Sequence, residues 1–187
     1  MNILLAFTPF LVFLALERLV GVEAGLVGAA ATALALLGKD VFVHRQSPKV
    51  LEVGTVLLFG GLATYGATSG AALSSPSVVR LSVDGGLLTI VLVSMAIGRP
   101  FTLQYARESV PRELWTQPLF VRINYVITSV WAAAFAAILA SDIAWVVRPS
   151  LPAPFMIVVT VAATAGALKF TSWYPDRARG KMPQPTK

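Results

Sequence analysis

Few residues in this chain have types and spacing that suit chemistry, and most chemistries are excluded at once. There is no cysteine and only one histidine, His44. A zinc site needs clustered His, Cys, Asp or Glu. A nucleophile–histidine pair would have to use His44, which stands beside Arg45 in a short basic loop and reads as a solvated side chain. The pairs 60-GG-61 and 85-GG-86 lie inside an apolar run and at a helix start, so neither forms a phosphate loop after a strand. No catalytic, metal or cofactor-binding residue is assigned, and the chain is read as a non-enzyme.

The polar residues that remain sit at the edges of apolar runs. Glu52 falls about one turn into such a run and is expected to meet an arginine. Arg122, Asn124 and Tyr125 open a later one, and with Glu52 they outline a candidate polar crevice. An ionisable group at membrane depth marks a pathway or a partner. Asp84, Glu17, Arg18 and Glu23 lie nearer the opposite ends of their runs and are expected to pair or to reach the interface.

The stretch 98-GRPFTLQYARESVPRELW-115 is the most polar connection. Pro100 and Pro111 restrict it, and 102-TLQYARESV-110 is predicted as a short helix. Its apolar side chains fall on both faces. That pattern suits docking, against a protein partner or against the end of the bundle itself. Arg99, Phe101, Tyr105, Arg107, Arg112 and Trp115 are the partner-binding candidates, because aromatics and arginines dominate interface energetics.

The elements that must position these residues are membrane helices. The chain has 187 residues, 56% hydrophobic and 13% charged, with mean hydropathy +0.74. Soluble proteins average about 25% charged. Six spans are predicted, at 3–20, 22–38, 50–69, 82–98, 120–141 and 153–172, in an all-α bundle. The first is read as a retained helix, since it lacks a basic leader and a small-residue cleavage site. Twelve of the 15 basic residues fall on one side of this arrangement, which predicts both termini in the cytoplasm. The net charge of +6 is thereby assigned to cytoplasmic loops and lipid headgroups, and not to nucleic acid. Residues 1–174 form one helical domain on this reading, and 175-PDRARGKMPQPTK-187 a disordered basic tail.

Small residues at four-residue spacing predict close helix packing: Gly21, Gly25, Ala29 and Ala33 in the second span, Gly60, Thr64 and Thr68 with Gly61 in the third, and Ser129, Ala133, Ala137 and Ser141 in the fifth. Whether these faces meet helices of the same chain or a second copy, in a homo-oligomer, the sequence leaves open.

In order and spacing, several short motifs resemble the intracellular septation protein A family of bacterial inner-membrane proteins. They are 7-FTPFLVF-13, the basic loop after the second span, 59-FGGLA-63, 98-GRP-100, 111-PRELW-115 and 122-RIN-124. The resemblance runs over residues 4–141. It implies a multi-pass inner-membrane protein that supports cell division, septation and envelope maintenance through other inner-membrane proteins, with no reaction and no cofactor. The alternative is a small six-helix transporter or channel with the crevice at Glu52, Arg122 and Asn124. A water-filled cavity reaching those residues separates the two.

Overall fold

The computed structural model describes residues 3–69, 75–148, 150, 152 and 154–179. Every regular element among them is helical. The first stretch is broken into α1 (Ile3–Ala6) and α2 (Thr8–Leu19), with Phe7 at the break. Pro9 explains it. A proline in a helix interior removes an N–H and clashes with the carbonyl four residues back, but it is tolerated in a first turn. The chain therefore starts a new helix at Thr8. Gly21, with φ of +134°, reverses the chain in a conformation that side chains disfavour, and α3 (Val22–Gly38) returns along α2. The two approach closely. A Cβ on Gly25 would lie 3.1 Å from the Phe13 carbonyl oxygen and 3.2 Å from the Glu17 amide nitrogen.

Beyond α3 the helix widens into a π-helical turn, Lys39–Val43, and α4 (Val50–Ser69) follows. Next comes α5 (Pro76–Ala96), with Pro76 in its first turn. It ends in a Schellman turn: Gly98, at φ +73°, donates from its amide to the Met95 carbonyl at 3.0 Å, and Arg99 donates to the Ser94 carbonyl at 2.9 Å. The chain folds back at once into α6 (Phe101–Ala106), whose first amide donates to Ser94 Oγ at 3.2 Å. Two short 3₁₀ turns, Arg107–Ser109 and Arg112–Leu114, lead to α7 (Pro118–Val147) and then to α8 (Pro154–Arg179).

Five stretches are long and apolar enough to cross a membrane: Val22–Val43, Val50–Ser69, Pro76–Ala96, Pro118–Val147 and Pro154–Ala178. This is a helical membrane protein. The first predicted span is the exception, because α2 has 12 residues, about 18 Å of helix against a ~30 Å hydrocarbon core. Three other boundaries move. The span predicted at 82–98 begins at Pro76, so Asp84 and 85-GG-86 lie two turns inside a helix and not at its start. The span predicted at 120–141 runs through 118–147, and the last continues through Pro175 to Arg179. The tail predicted to be disordered from 175 is thus helical over its first residues, and 180–187 lie outside the described residues.

The interior is aromatic. Phe7 stacks on Trp131 with ring centroids 5.1 Å apart, and Phe101 and Phe135 close on the same ring at 6.3 and 5.4 Å. Phe10 joins this cluster to a second one around Phe13, Phe59 and Val79. Helix lengths also leave an overhang. Asp84 of α5 faces Asp142 of α7. From that level α5 continues for about 18 Å to Ala96, whereas α7 continues for about 36 Å to Pro118. The extra length of α7 is covered by α6, where Thr102 Oγ1 bonds to the Asn124 carbonyl at 2.9 Å and to Thr128 Oγ1 at 2.7 Å.

Candidate functional site

The end of the bundle where α3, α5 and α6 stop and α4 begins carries a buried knot of charge. Its centre is Lys49, only 4% exposed. The Lys49 ammonium donates to Asp40 Oδ2 at 2.6 Å, lies 2.8 Å from Glu108 Oε1 and donates to Glu52 Oε1 at 3.1 Å. Gln46 Oε1 accepts at 3.3 Å, and the ammonium sits 5.1 Å from the centre of the Tyr105 ring.

Each partner is placed by a local feature of the chain. Asp40 is carried by the π-helical turn, which inserts an extra residue and swings its side chain to 1% exposure. Glu52 is in the first turn of α4 and reaches back to the Lys49 amide at 3.5 Å, the carboxylate half of a capping box. The next orphan amide of α4, on Val50, donates to Gln104 Oε1 of α6 at 2.9 Å. Tyr105 donates its hydroxyl to Glu52 Oε1 at 3.3 Å. Three separated segments therefore converge on one ammonium.

The knot carries one ammonium against three carboxylates. His44 Nδ1 lies 3.4 Å from Asp40 Oδ1. Asp40 Oδ1 is buried and has no hydrogen-bond partner among the described residues. Burial by itself disfavours the ammonium. The hydrogen bonds to Asp40, Glu108 and Glu52 outweigh it and hold Lys49 above the ordinary lysine range. Burial, reinforced by the Glu52 carboxylate, likewise keeps the Tyr105 phenol protonated well above the usual tyrosine range.

Several expectations change here. Phe101 is fully buried against Phe7 and Trp131, and Tyr105 is 5% exposed, so neither offers a surface to a partner. The stretch docks on the end of its own bundle. Trp115 stays half-buried in the following turn, between the guanidinium groups of Arg107 and Arg112 at 5.4 and 5.7 Å, while Arg99 is exposed. Glu52 meets Lys49 and not an arginine. The crevice expected from Glu52, Arg122, Asn124 and Tyr125 is not one site. Asn124 donates to the Phe120 carbonyl of its own helix at 2.9 Å, Tyr125 reaches the Met95 carbonyl at 3.4 Å, and Arg122 is exposed.

Of the small-residue faces, that of α3 is buried at Gly25, Ala29 and Ala33, while Gly21 turns the chain with open space around it. Gly60 and Gly61 also face open space, with no atom within 4 Å of an added Cβ. The close approaches of α4 and α5 are made by Gly54 against Ile90 and Gly86 against Leu58. Asp40, Lys49 and Glu108 were not singled out by the sequence. The one available signal was the Lys49–Glu52 spacing of three across a helix start. No family model, curated protein or solved structure matches the chain.

Proposed function

We propose that the chain is a small transporter of the bacterial inner membrane, with the end of α8 in the cytoplasm and the Lys49 knot as its cytoplasmic gate. One observation carries this reading: a single ammonium, 4% exposed, held by carboxylates from three segments that meet at one end of the bundle. A static scaffold gains little from such a group, because desolvating buried ions costs several kcal/mol each and apolar replacements are often neutral or stabilising. An arrangement that opens by hydration has a use for it, since wetting the charges offsets the lost contacts. The excess of lysine and arginine on that side supports the orientation.

Because the chain has no cysteine, single thiols can report the gate. In inverted vesicles, Thr55→Cys, buried one turn beyond Glu52, should react slowly with an impermeant maleimide and about tenfold faster once Lys49→Gln is added. Val79→Cys, buried in the other cluster, should stay protected in both backgrounds. Equal labelling of Thr55→Cys with and without Lys49 refutes the gate.

A second reading keeps one observation in its favour. Trp115, stacked between two arginines on a turn outside the long helices, supports docking of an inner-membrane division or envelope protein there. Trp115→Ala should then abolish capture of that partner while leaving vesicle flux unchanged.

A further inference from the structure

The opposite end of the bundle carries a second group of charges. A cleft of about 220 Å³ enters between α2, α5, α7 and α8, lined by Glu17, Ser77, Arg80, Asp142, Trp145 and Met156. Its charges are unbalanced. Arg80 is committed to Glu17, with Nε and Nη2 both 3.4 Å from the carboxylate, whose side chain is 7% exposed. Asp142, 8% exposed, lines the cleft, and its carboxyl faces that of Asp84 behind it. Among the described lining residues α8 contributes Met156 and no charge. Glu17 and Arg80 offset each other, so Asp142 leaves the lining with a net negative charge.

The walls say what fits. A hard metal ion wants six or more oxygens, and no group of three or more acidic or histidine side chains placed to hold a metal ion occurs among the described residues. The cleft instead sets one carboxylate beside an indole and a thioether, a combination that suits a cation with apolar substituents. We propose that the cleft binds a small organic ammonium ion, with Asp142 as its counter-ion and Trp145 as its aromatic wall. It deepens the transport reading by naming a class of cargo, and it rests on that reading for flux alone.

Isothermal titration of the full chain in uncharged detergent with tetraethylammonium tests the site. Saturable binding of about one ligand per chain is expected near neutral pH. Asp142→Asn should weaken it by more than about tenfold, and Trp145→Leu by about 2- to 30-fold. Asp84→Asn, behind the cleft, should leave binding in place. A folded, monodisperse parent that gives no heat overturns the proposal. So does an Asp142→Asn variant that binds as the parent does, or heat with sodium alone. In proteoliposomes, binding without tetraethylammonium flux upholds the site and refutes transport. Flux that Asp142→Asn leaves unchanged upholds transport and refutes the site.

Discussion

Lys49→Met removes the ammonium and keeps much of the stem. What it leaves is decided by burial: the side chains of Asp40, Glu52 and Glu108 are 1%, 3% and 14% exposed, so water cannot replace the lost counter-ion at the first two. Removing one partner of a buried ion pair costs about 3–5 kcal/mol, most of it the penalty of the charge left behind. For a chain of this size 1 kcal/mol moves the melting midpoint by about 2–4 °C, so the expected loss is roughly 6–20 °C in a detergent melt near neutral pH. Two companions identify the cause. Acidifying to about pH 5 should return part of the loss in the variant and not in the parent, because protonation neutralises the stranded carboxylates. Adding Asp40→Asn and Glu52→Gln to Lys49→Met should restore more than half of it, since a neutral set has no charge to strand. A single variant that melts within about 2 °C of the parent refutes the reasoning. So does a triple variant less stable than the single.

Further outcomes follow from the same contacts. Gly25→Leu should destabilise by at least about 1–3 kcal/mol, because the added side chain meets backbone atoms of α2 that cannot move aside, whereas Gly60→Leu and Gly61→Leu should melt like the parent. Trp131→Ala, at a residue 1% exposed and stacked on Phe7, should cost about 3–5 kcal/mol by the same melt. In a spectrophotometric titration Tyr105 should stay silent to about pH 11, so that Tyr105→Phe removes no step below it. The sign is fixed by the raised values of Tyr105 and Lys49. Their contribution to stability is complete below the unfolded-state values, near pH 10, and is lost only as the pH rises through the folded ones.

How much of this was legible in the sequence depended on range. Local signals read well. Apolar run lengths located the long helices, and 98-GRP-100 announced a helix end that is built as a Schellman turn. Pro9 carried a break that the continuous apolar run 3–20 concealed, because hydropathy averages over a proline. Direction was harder. The small-residue spacing in α3 and the Gly60–Thr64–Thr68 spacing in α4 look alike in sequence, yet one face is buried and the other points outward. What distinguishes them is the neighbour each helix happens to have. The knot was the least legible. Lys49 counts in the sequence as one more loop charge, and only the extra residue of the π-helical turn brings Asp40 to it, while Glu108 arrives from a segment that folds back over the end of α4.

The overhang of α7 makes that helix a lever. Its arm runs from the level where Asp84 meets Asp142, past the end of α5, to the turns that carry α6, and the part beyond α5 is about 18 Å long. A rotation of about 10° about the end of α5 would carry the far tip sideways by about 3 Å. That displacement is comparable with the 2.8 Å separation of Lys49 and Glu108 and with the 2.9 Å bond between Val50 and Gln104, which tie the α6 side of the knot to α4. The cleft and the ion pairs thus stand at the two ends of one helix, where a tilt set at one end would be felt at the other.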